Sequence, residues 1–425
     1  VRILLIGSGA REHALAWKLS LSPNLEKMYA APGNPGIAEF AELVDIEVNE
    51  IEQLVAFSKS TQIDLVAVGP EVPLVLGLAD RLKEEGILCF GPAKAGALLE
   101  GSKRFAKDFM KKYEIPTANY ASFSDSSEAQ SYINALPEGP IVVKADGLAQ
   151  GKGVIVAENH KEALEAIQNM IGDQCFGSAG SEVVIEEFLT GEEVSLLTFV
   201  DGKSIIPMLP VQDHKRIGDG DVGLNTGGMG TYSPTSVYTP EIAKMVEAQI
   251  IVPLEKALQE ELDYCGCLYI GLMLTPNGPK VIEFNARFGD PETEVLMPLL
   301  ESDLLKIFCK CATGTLVEDD VQWKNKSAVC VIMASKGYPE TYQSGYEITG
   351  LQKKEDFFIF HAGTKLDENN EIVTSGGRVL AVVSVRENFI AAKKAVYQHI
   401  EGIHFKNAYF RSDIGHREEK RNLRK

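Results

Sequence analysis

Apolar and polar positions along the chain sort into blocks that read alternately as strand and helix. In the first hundred residues, strand-like runs at Arg2–Gly7, Ile63–Gly69 and Ile87–Gly91 are separated by helical stretches near Glu12–Ser20, Ile51–Ser60 and Leu76–Glu85. This alternation predicts a small α/β domain with a parallel sheet. Its turns, Gly7-Ser-Gly9, Pro32-Gly-Asn-Pro-Gly36 and Gly69-Pro-Glu71, are rich in Gly and Pro. In open parallel sheets ligands bind where such turns gather, at the carboxyl ends of the strands. Ser102 is the expected N-cap of a helix reaching about Lys112.

From Pro116 the texture changes. A compact unit reaches about Leu189, with strands at Ile141–Ala145, Gly153–Ala157 and Glu182–Phe188 and a helix near Lys161–Met170. Beyond it lie longer strands, a polar loop at 213–233 and a helix from about Pro240 to Glu261. The apolar run Leu268–Leu274, the turn Pro276-Asn-Gly278 and a returning strand predict a β-hairpin. After Lys324-Asn-Lys326 the pattern suggests a separate α+β unit. Its strands are expected at Ala328–Ala334 and near Phe357–Phe360 and Val379–Val385, and its helix at Asn388–His399.

With 425 residues the chain is too long for one core, so two to four domains are expected. No apolar run approaches the length of a membrane span, and the N-terminus reads as a strand rather than a signal peptide. The formal net charge of −18 argues against general nucleic-acid binding, so a site for anionic substrates must concentrate its own cations. Only the segment Arg417–Lys425 is mixed and basic, and it reads as a solvated tail. The seven cysteines lack zinc-site spacing; Cys265/Cys267 and Cys309/Cys311 are C-x-C pairs. They read as buried or half-buried thiols of a reducing cytoplasm.

Chemistry concentrates in a few segments. On the returning strand of the hairpin, alternation sends Ile282 and Phe284 into a core and Glu283, Asn285 and Arg287 to the other face. A carboxylate and an amide oxygen two residues apart suit Mg²⁺, which takes few protein ligands plus substrate phosphates. An Arg beside them can fork onto a carboxylate or phosphate. The plain alternative is an exposed polar strand face.

Asp146-Gly-Leu-Ala-Gln-Gly-Lys-Gly153 follows the strand that carries Lys144. Its glycines let backbone N–H groups turn towards phosphate, and Lys152 adds a cation. The spacing is not that of a Walker A loop, and a simple glycine hairpin is the alternative. The crossing Glu186-Glu-Phe-Leu189, with Glu193 beyond, offers backbone groups for an adenine edge and a carboxylate for a ribose. Gln212–Arg216 and Asn225–Gly230 bracket a loop too long and polar for a simple turn. His214 within it reads as a hydrogen-bonding scaffold residue. Gly7-Ser-Gly-Ala-Arg-Glu12 fails as a dinucleotide fingerprint, because Glu12 stands in the third glycine's place and no acid ends the next strand. The turn can still offer a helix N-terminus to a phosphate, with Arg11 beside it.

Together these segments resemble the ATP-grasp carboxylate–amine ligases, and among them the glycinamide ribonucleotide synthetase family. The resemblance rests on GSGAREHA (7–14), PGNPG (32–36), GPEVPL (69–74), SKRFAKDFM (102–110), KADGLAQGKGV (144–154), EEFLTGEEVS (186–195), QDHKR (212–216), NTGGMG (225–230) and RFGDPETE (287–294). These occur in the family's order across most of the chain. Small departures are Ala10 where Gly is common, Leu224 where Pro usually precedes NTGGMG, and Glu294 where Gln is common.

The resemblance implies an α/β and α+β multidomain fold. An N-terminal parallel-sheet domain (1–101) would bind substrate, an ATP-grasp domain (102–325) would carry a small lid at about 118–189, and an α+β domain (326–425) would follow. It implies ATP-dependent joining of glycine to 5-phosphoribosylamine in the cytoplasm, with ATP and Mg²⁺ or Mn²⁺, and it points to no nucleic-acid or membrane partner and names no partner protein. By resemblance, Lys103, Lys144, Gly151, Lys152 and Gly153 would hold ATP phosphates, Glu186, Glu187, Phe188 and Leu189 the adenine, and Glu193 the ribose. Glu283 and Asn285 would hold the metal. Arg287, Asp290 and Asp213, with Thr226, Gly227, Gly228 and Met229, would hold glycine and the acyl phosphate. Gly9, Arg11, Asn34, Gly36 and Glu71 would help hold phosphoribosylamine. Another ATP-grasp ligase or carboxylase with a different acid and amine, a nucleotide binder without catalysis and a nicotinamide oxidoreductase are the alternative readings. The failed fingerprint weighs against the last, and the metal pair with Arg287 weighs against an inert binder.

Overall fold

A computed structural model describes residues 1–148, 153–172, 180–352 and 356–422. The N-terminal sheet is parallel and five-stranded, in the order Glu42–Leu43, Lys27–Pro32, Arg2–Gly7, Leu65–Val68, Leu88–Phe90. Ile3 to Ile6 are all fully buried, as expected of a central parallel strand covered on both faces. Helices Ala10–Ser20 and Ile51–Ser60 stand where the pattern puts them. The helix expected over Leu76–Glu85 is instead two, Glu71–Val75 and Leu78–Glu84. Gly77 breaks it, at φ 91°, a left-handed conformation that glycine adopts without strain.

The segment after Pro116 forms an antiparallel sheet of its own, ordered Tyr120–Phe123, Val183–Glu187, Ile141–Ala145, Val154–Ala157. Helices Ser126–Ala135 and His160–Ile167 close a separate apolar cluster over it, including Ile133, Val143, Ile167 and Met170. The central sheet is antiparallel, ordered Ile205–Pro207, Glu192–Asp201, Cys265–Thr275, Gly278–Asn285. Its last two strands are the predicted hairpin. One expectation fails within it: Ile282 is not a core residue. The register steps from Gly271↔Glu283 to Leu272↔Val281, so Ile282 is an extra residue in a β-bulge, and Val281 and Phe284 fill the core instead. The long helix expected from Pro240 is also divided, into Pro240–Val246 and Val252–Glu261, with a π-turn at Glu247–Ile251. Pro253, which lacks an N–H, sits just past that turn.

The last hundred residues are not self-contained. Their sheet runs Gln212–Asp213, Gly230–Ser233, Ser327–Ser335, Arg378–Arg386, Phe357–His361, with Ala408–Tyr409 beside Ser327–Ser335. Two strands of the middle segment therefore complete it. The basic C-terminal stretch is also not a free tail through residue 422. Helix His416–Asn422 docks on acidic groups: Arg417 lies 2.7 Å from Asp221, and Arg421 pairs with Glu192 and Glu418. Fully buried Arg411 bonds Asp221, Asp413 and the Arg216 carbonyl. Among the described residues no helix is long and apolar enough to cross a membrane. Six cysteines are free and at least half-buried, and burial raises their thiols, Cys265 to about 12. Cys175 lies outside the described residues.

His214 ties the middle segment to the C-terminal one. Its Nδ1 donates to the Gly230 carbonyl at 3.0 Å, and its Nε2 accepts the Gly415 N–H at 3.0 Å. That pattern requires the neutral ring. Burial pushes its pKa down to about 4; Arg411 and His416 press the same way, against Asp221. The unfolded chain would take up this proton near 6.5, so the stabilising difference is complete above that pH and disappears as pH falls towards 4. His214→Asn should flatten this part of the stability profile, read by urea unfolding at fixed ionic strength. An unchanged slope between these values would count against the assignment.

Candidate active site

Two buried lysines, Lys107 and Lys144, and the half-buried Lys103 gather where the small sheet meets the central hairpin. Glu186 Oε1 lies 2.9 Å from Lys144 Nζ, and its Oε2 lies 3.0 Å from Lys107 Nζ. Lys144 also donates to the carbonyl of the bulged Ile282 at 3.2 Å. Lys107 donates to Thr117 Oγ1 at 2.7 Å, and burial pushes its pKa down to about 8. Lys103 Nζ donates to the Gly147 carbonyl at 3.2 Å; burial lowers its pKa although Glu283 opposes. Lysines clustered in this way at a partly closed junction make a site suited to a polyanion.

The glycine turn is anchored at its base. Ser102 caps its helix as predicted, accepting the Phe105 N–H, and its Oγ donates to the Asp146 carboxylate at 3.1 Å. Asp146 also accepts the Arg104 N–H at 2.7 Å. The Gly153 carbonyl accepts the Ala145 N–H. Gly151 and Lys152 lie outside the described residues.

At the crossing, Glu186 and Glu187 are committed inward. Glu187 accepts both nitrogens of Asn119 at 3.0 Å and pairs with Lys280 at 2.8 Å. Their side chains therefore hold the crossing, and any adenine contact falls to the backbone and to Phe188 and Leu189. Phe188 is exposed and Leu189 half-buried, on the link between strands. Gly191 is required there, because a Cβ would overlap the Leu274 carbonyl. Glu193 pairs with Lys215 at 3.3 Å.

Glu283 is half-buried beside Lys215, 3.9 Å away. Burial alone would raise its pKa, but Lys215, Lys144, Lys103 and Arg287 together hold it below the usual carboxylate range. Turned so that its nitrogen faces acceptors, the Asn285 amide would donate to Glu100 Oε1 at 3.2 Å and to the Phe284 carbonyl, with its oxygen on the other side. An ionised carboxylate and an amide oxygen at alternate positions of one strand fit a hard divalent cation. Arg287 is fixed by Glu100 at 2.9 Å, Glu71 at 3.4 Å and the Phe288 carbonyl. Burial would also raise Glu71, but Arg287 and Arg11 pull it down.

A narrow pocket opens between Glu193, Ser195, Asp213, Lys215, Ile282 and Glu283. Behind it Ser195 Oγ contacts Tyr269 Oη at 2.8 Å and donates to Glu292 at 2.9 Å. Asp213 accepts the His214 N–H at 2.7 Å, and burial with Glu292 nearby raises its pKa well above normal. Asp290 lies 3.0 Å from Arg378. Glu294 is wholly buried and neither carboxyl oxygen has a hydrogen-bond partner; burial and the nearby Asp290 push its pKa up, against Arg378.

Several expected ligands are instead absorbed by the fold. Glu12 accepts the Gly9 N–H at 2.7 Å and Arg11 Nε at 2.6 Å, and Arg11 also donates to the Phe288 carbonyl. The carboxylate thus fills the helix N-terminus that was expected to meet a phosphate. Asn34 uses both ends of its amide on Ser8, His361, Gly36 and Ile37, and Gly36 packs against His13 and His361. Thr226 bonds the Lys215 carbonyl and the Gly228 N–H; Gly227 N–H donates to Tyr338, and buried Met229 to the His214 carbonyl. Gly228, at φ 117°, lets Pro291 and Asp213 approach. These four shape the site without offering free N–H groups. Lys107, Lys215, Glu100, Ser195, Tyr269 and Arg378 are additions. Lys107, Lys215 and Ser195 were signalled by the motifs that contain them; the others have no local signal.

Three family models match in sequence: phosphoribosylglycinamide synthetase N domain over residues 1–100, its ATP-grasp (A) domain over 101–293 and its C domain over 328–417. The phosphoribosylamine–glycine ligase of Halalkalibacterium halodurans is 49% identical over 418 residues, covering 98% of this chain and 96% of its own. That of Haemophilus influenzae is 48% identical over 431 residues, covering 100% of both. The crystal structure of the Thermotoga maritima phosphoribosylamine–glycine ligase matches with a TM-score of 0.84 at 33% identity, covering 97% of this chain and 100% of that one. The three matches follow one another along the chain, and the chain belongs to the phosphoribosylglycinamide synthetase family.

Proposed function

We propose that this chain joins glycine to 5-phosphoribosylamine in purine biosynthesis, giving glycinamide ribonucleotide, ADP and phosphate through a glycyl phosphate intermediate. The observation that carries the reading is the set of Lys103, Lys144 and Lys215 around Glu283 and Asn285, in a chain of this family. A carboxylate is a poor electrophile. Transfer of the γ-phosphoryl group to glycine makes an acyl phosphate, which the amine of phosphoribosylamine then attacks, releasing phosphate. Phosphoryl transfer depends on positioning and charge neutralisation rather than on a protein nucleophile.

In this reading Lys103 and Lys144 neutralise ATP phosphates, with Gly151, Lys152 and Gly153 over them. The backbone at 186–189 and the side chains of Phe188 and Leu189 hold adenine, and Glu193 holds the ribose. Glu283 and Asn285 would hold Mg²⁺ or Mn²⁺, which neutralises phosphate charge when bound. Lys215 stands between ribose and metal carboxylates, able to meet the γ-phosphate. Arg287, Asp290 and Asp213 face glycine and the acyl phosphate, and Glu71 with Arg287 is the most open anchor for phosphoribosylamine. The working division is 1–101, 102–325 with a lid at about 118–189, and 326–425.

ADP release should require both glycine and freshly made phosphoribosylamine. Equal release without glycine, or with unrelated acids in its place, would sink this reading and favour another ATP-grasp ligase. Glu283→Ala and Asn285→Ala should each lower Mg²⁺-dependent activity by on the order of a hundredfold while thermal unfolding shifts little. Near-normal activity at ordinary Mg²⁺ in both would refute the metal role. The lid should close on nucleotide, because an acyl phosphate must be kept from water. Hydrogen exchange across 144–154 should slow under a saturating non-hydrolysable ATP analogue, and unchanged exchange would mean a rigid subdomain.

A further inference from the structure

We propose that Arg378, supplied by the C-terminal sheet, is the positioning residue that sets Asp290 and the 225–230 loop for the glycine half of the reaction. Its Nη1 donates to the carbonyls of Gly227 at 2.9 Å, Asp290 at 3.2 Å and Gly228 at 3.3 Å. Its Nη2 pairs with Asp290 Oδ1 at 3.0 Å. One planar cation thus bridges two loops that are far apart in sequence. Its five donors in a fixed fork can meet carbonyls and a carboxylate together, which a lysine ammonium on a flexible stem cannot.

The surroundings are built for that fork. A Cβ on Gly227 would stand 3.0 Å from the guanidinium carbon, so glycine allows the close approach. Tyr338, from the same C-terminal unit, accepts the Gly227 N–H at 3.0 Å, so the loop is gripped on both sides of one residue. Tyr338 is itself packed against Gly377, the residue before Arg378. Glu294, buried nearby without a partner, leaves the guanidinium to Asp290. With every Nη1 contact spent on the protein, Arg378 acts through Asp290 and the loop, not on substrate directly.

This inference rests on the reading that Asp290, Asp213 and the loop face glycine. The test compares Arg378→Ala and Arg378→Lys with the full-length wild-type enzyme, varying glycine, ATP and phosphoribosylamine separately. Arg378→Ala should lose on the order of a hundredfold in kcat/KM for glycine, as expected when reacting groups are misplaced by about an ångström, with KM for ATP unchanged. Added methylguanidine should restore part of that loss, while Arg378→Lys should stay low and gain nothing. Wild-type glycine kinetics in either variant would overturn the proposal. So would a parallel rise in KM for ATP and glycine without methylguanidine rescue, which marks a general structural role. If Arg378→Ala does not fold, Arg378→Lys alone decides, through the same split between glycine and ATP. Failure of the underlying reading shows separately, as wild-type ADP release that ignores glycine.

Discussion

Glu186 is the group on which the site is built. It lies on the last strand of the small sheet, yet it holds one lysine from the neighbouring strand and one from the helix that starts at Ser102. All three side chains are almost wholly buried. A lone buried carboxylate or ammonium would be too costly to desolvate, and removing one partner of such a set typically costs about 3–5 kcal/mol. The triad therefore fixes the angle between the small sheet, the helix and, through the Lys144 contact to Ile282, the bulged hairpin. It also carries one more cation than anion, and the next carboxylates in its field are Glu283 and Glu187.

The rest of the site sorts its carboxyl groups by environment. Glu283 and Glu71 sit among cations and are held ionised against burial. Asp213 and Glu294 are raised by burial first and then by neighbouring acids, Glu292 beside the one and Asp290 beside the other. In a chain with a net charge of −18, Lys103, Lys144, Lys215 and Arg287 still converge on one carboxylate, Glu283. Charge on the whole molecule says little about the sign of a site whose walls are buried.

Local signals in the sequence were read well. Ser102 as an N-cap, the turn at Pro276-Asn-Gly278 and the limits of Ile51–Ser60 depend only on neighbouring residues, and the structure has all three. The bulge at Ile282 was hidden because alternation assumes an unbroken register, and register is set by the partner strand. Arg11, Asn34 and the 226–229 loop looked like ligands because Arg, Asn and Gly serve both scaffolds and sites. Only the partners brought in from Glu12, His361 and Arg378 decide between the two. Arg378 itself stands in an ordinary strand and carries no motif; its meaning appears only when residues 227, 290 and 378 are brought together.

The sheet completed by Gly230–Ser233 bears on how the chain emerges during synthesis. That strand leaves the ribosome well before Ser327–Ser335, which must pair with it. Until then it presents an open edge of unpaired backbone groups, for a wait on the order of ten seconds at ordinary translation rates. The first two thirds of the chain can form the parallel sheet and the central hairpin in that interval, but not the wall behind Asp213. A nascent or truncated chain ending before residue 327 would therefore carry most of the catalytic residues and still expose a sticky strand beside them.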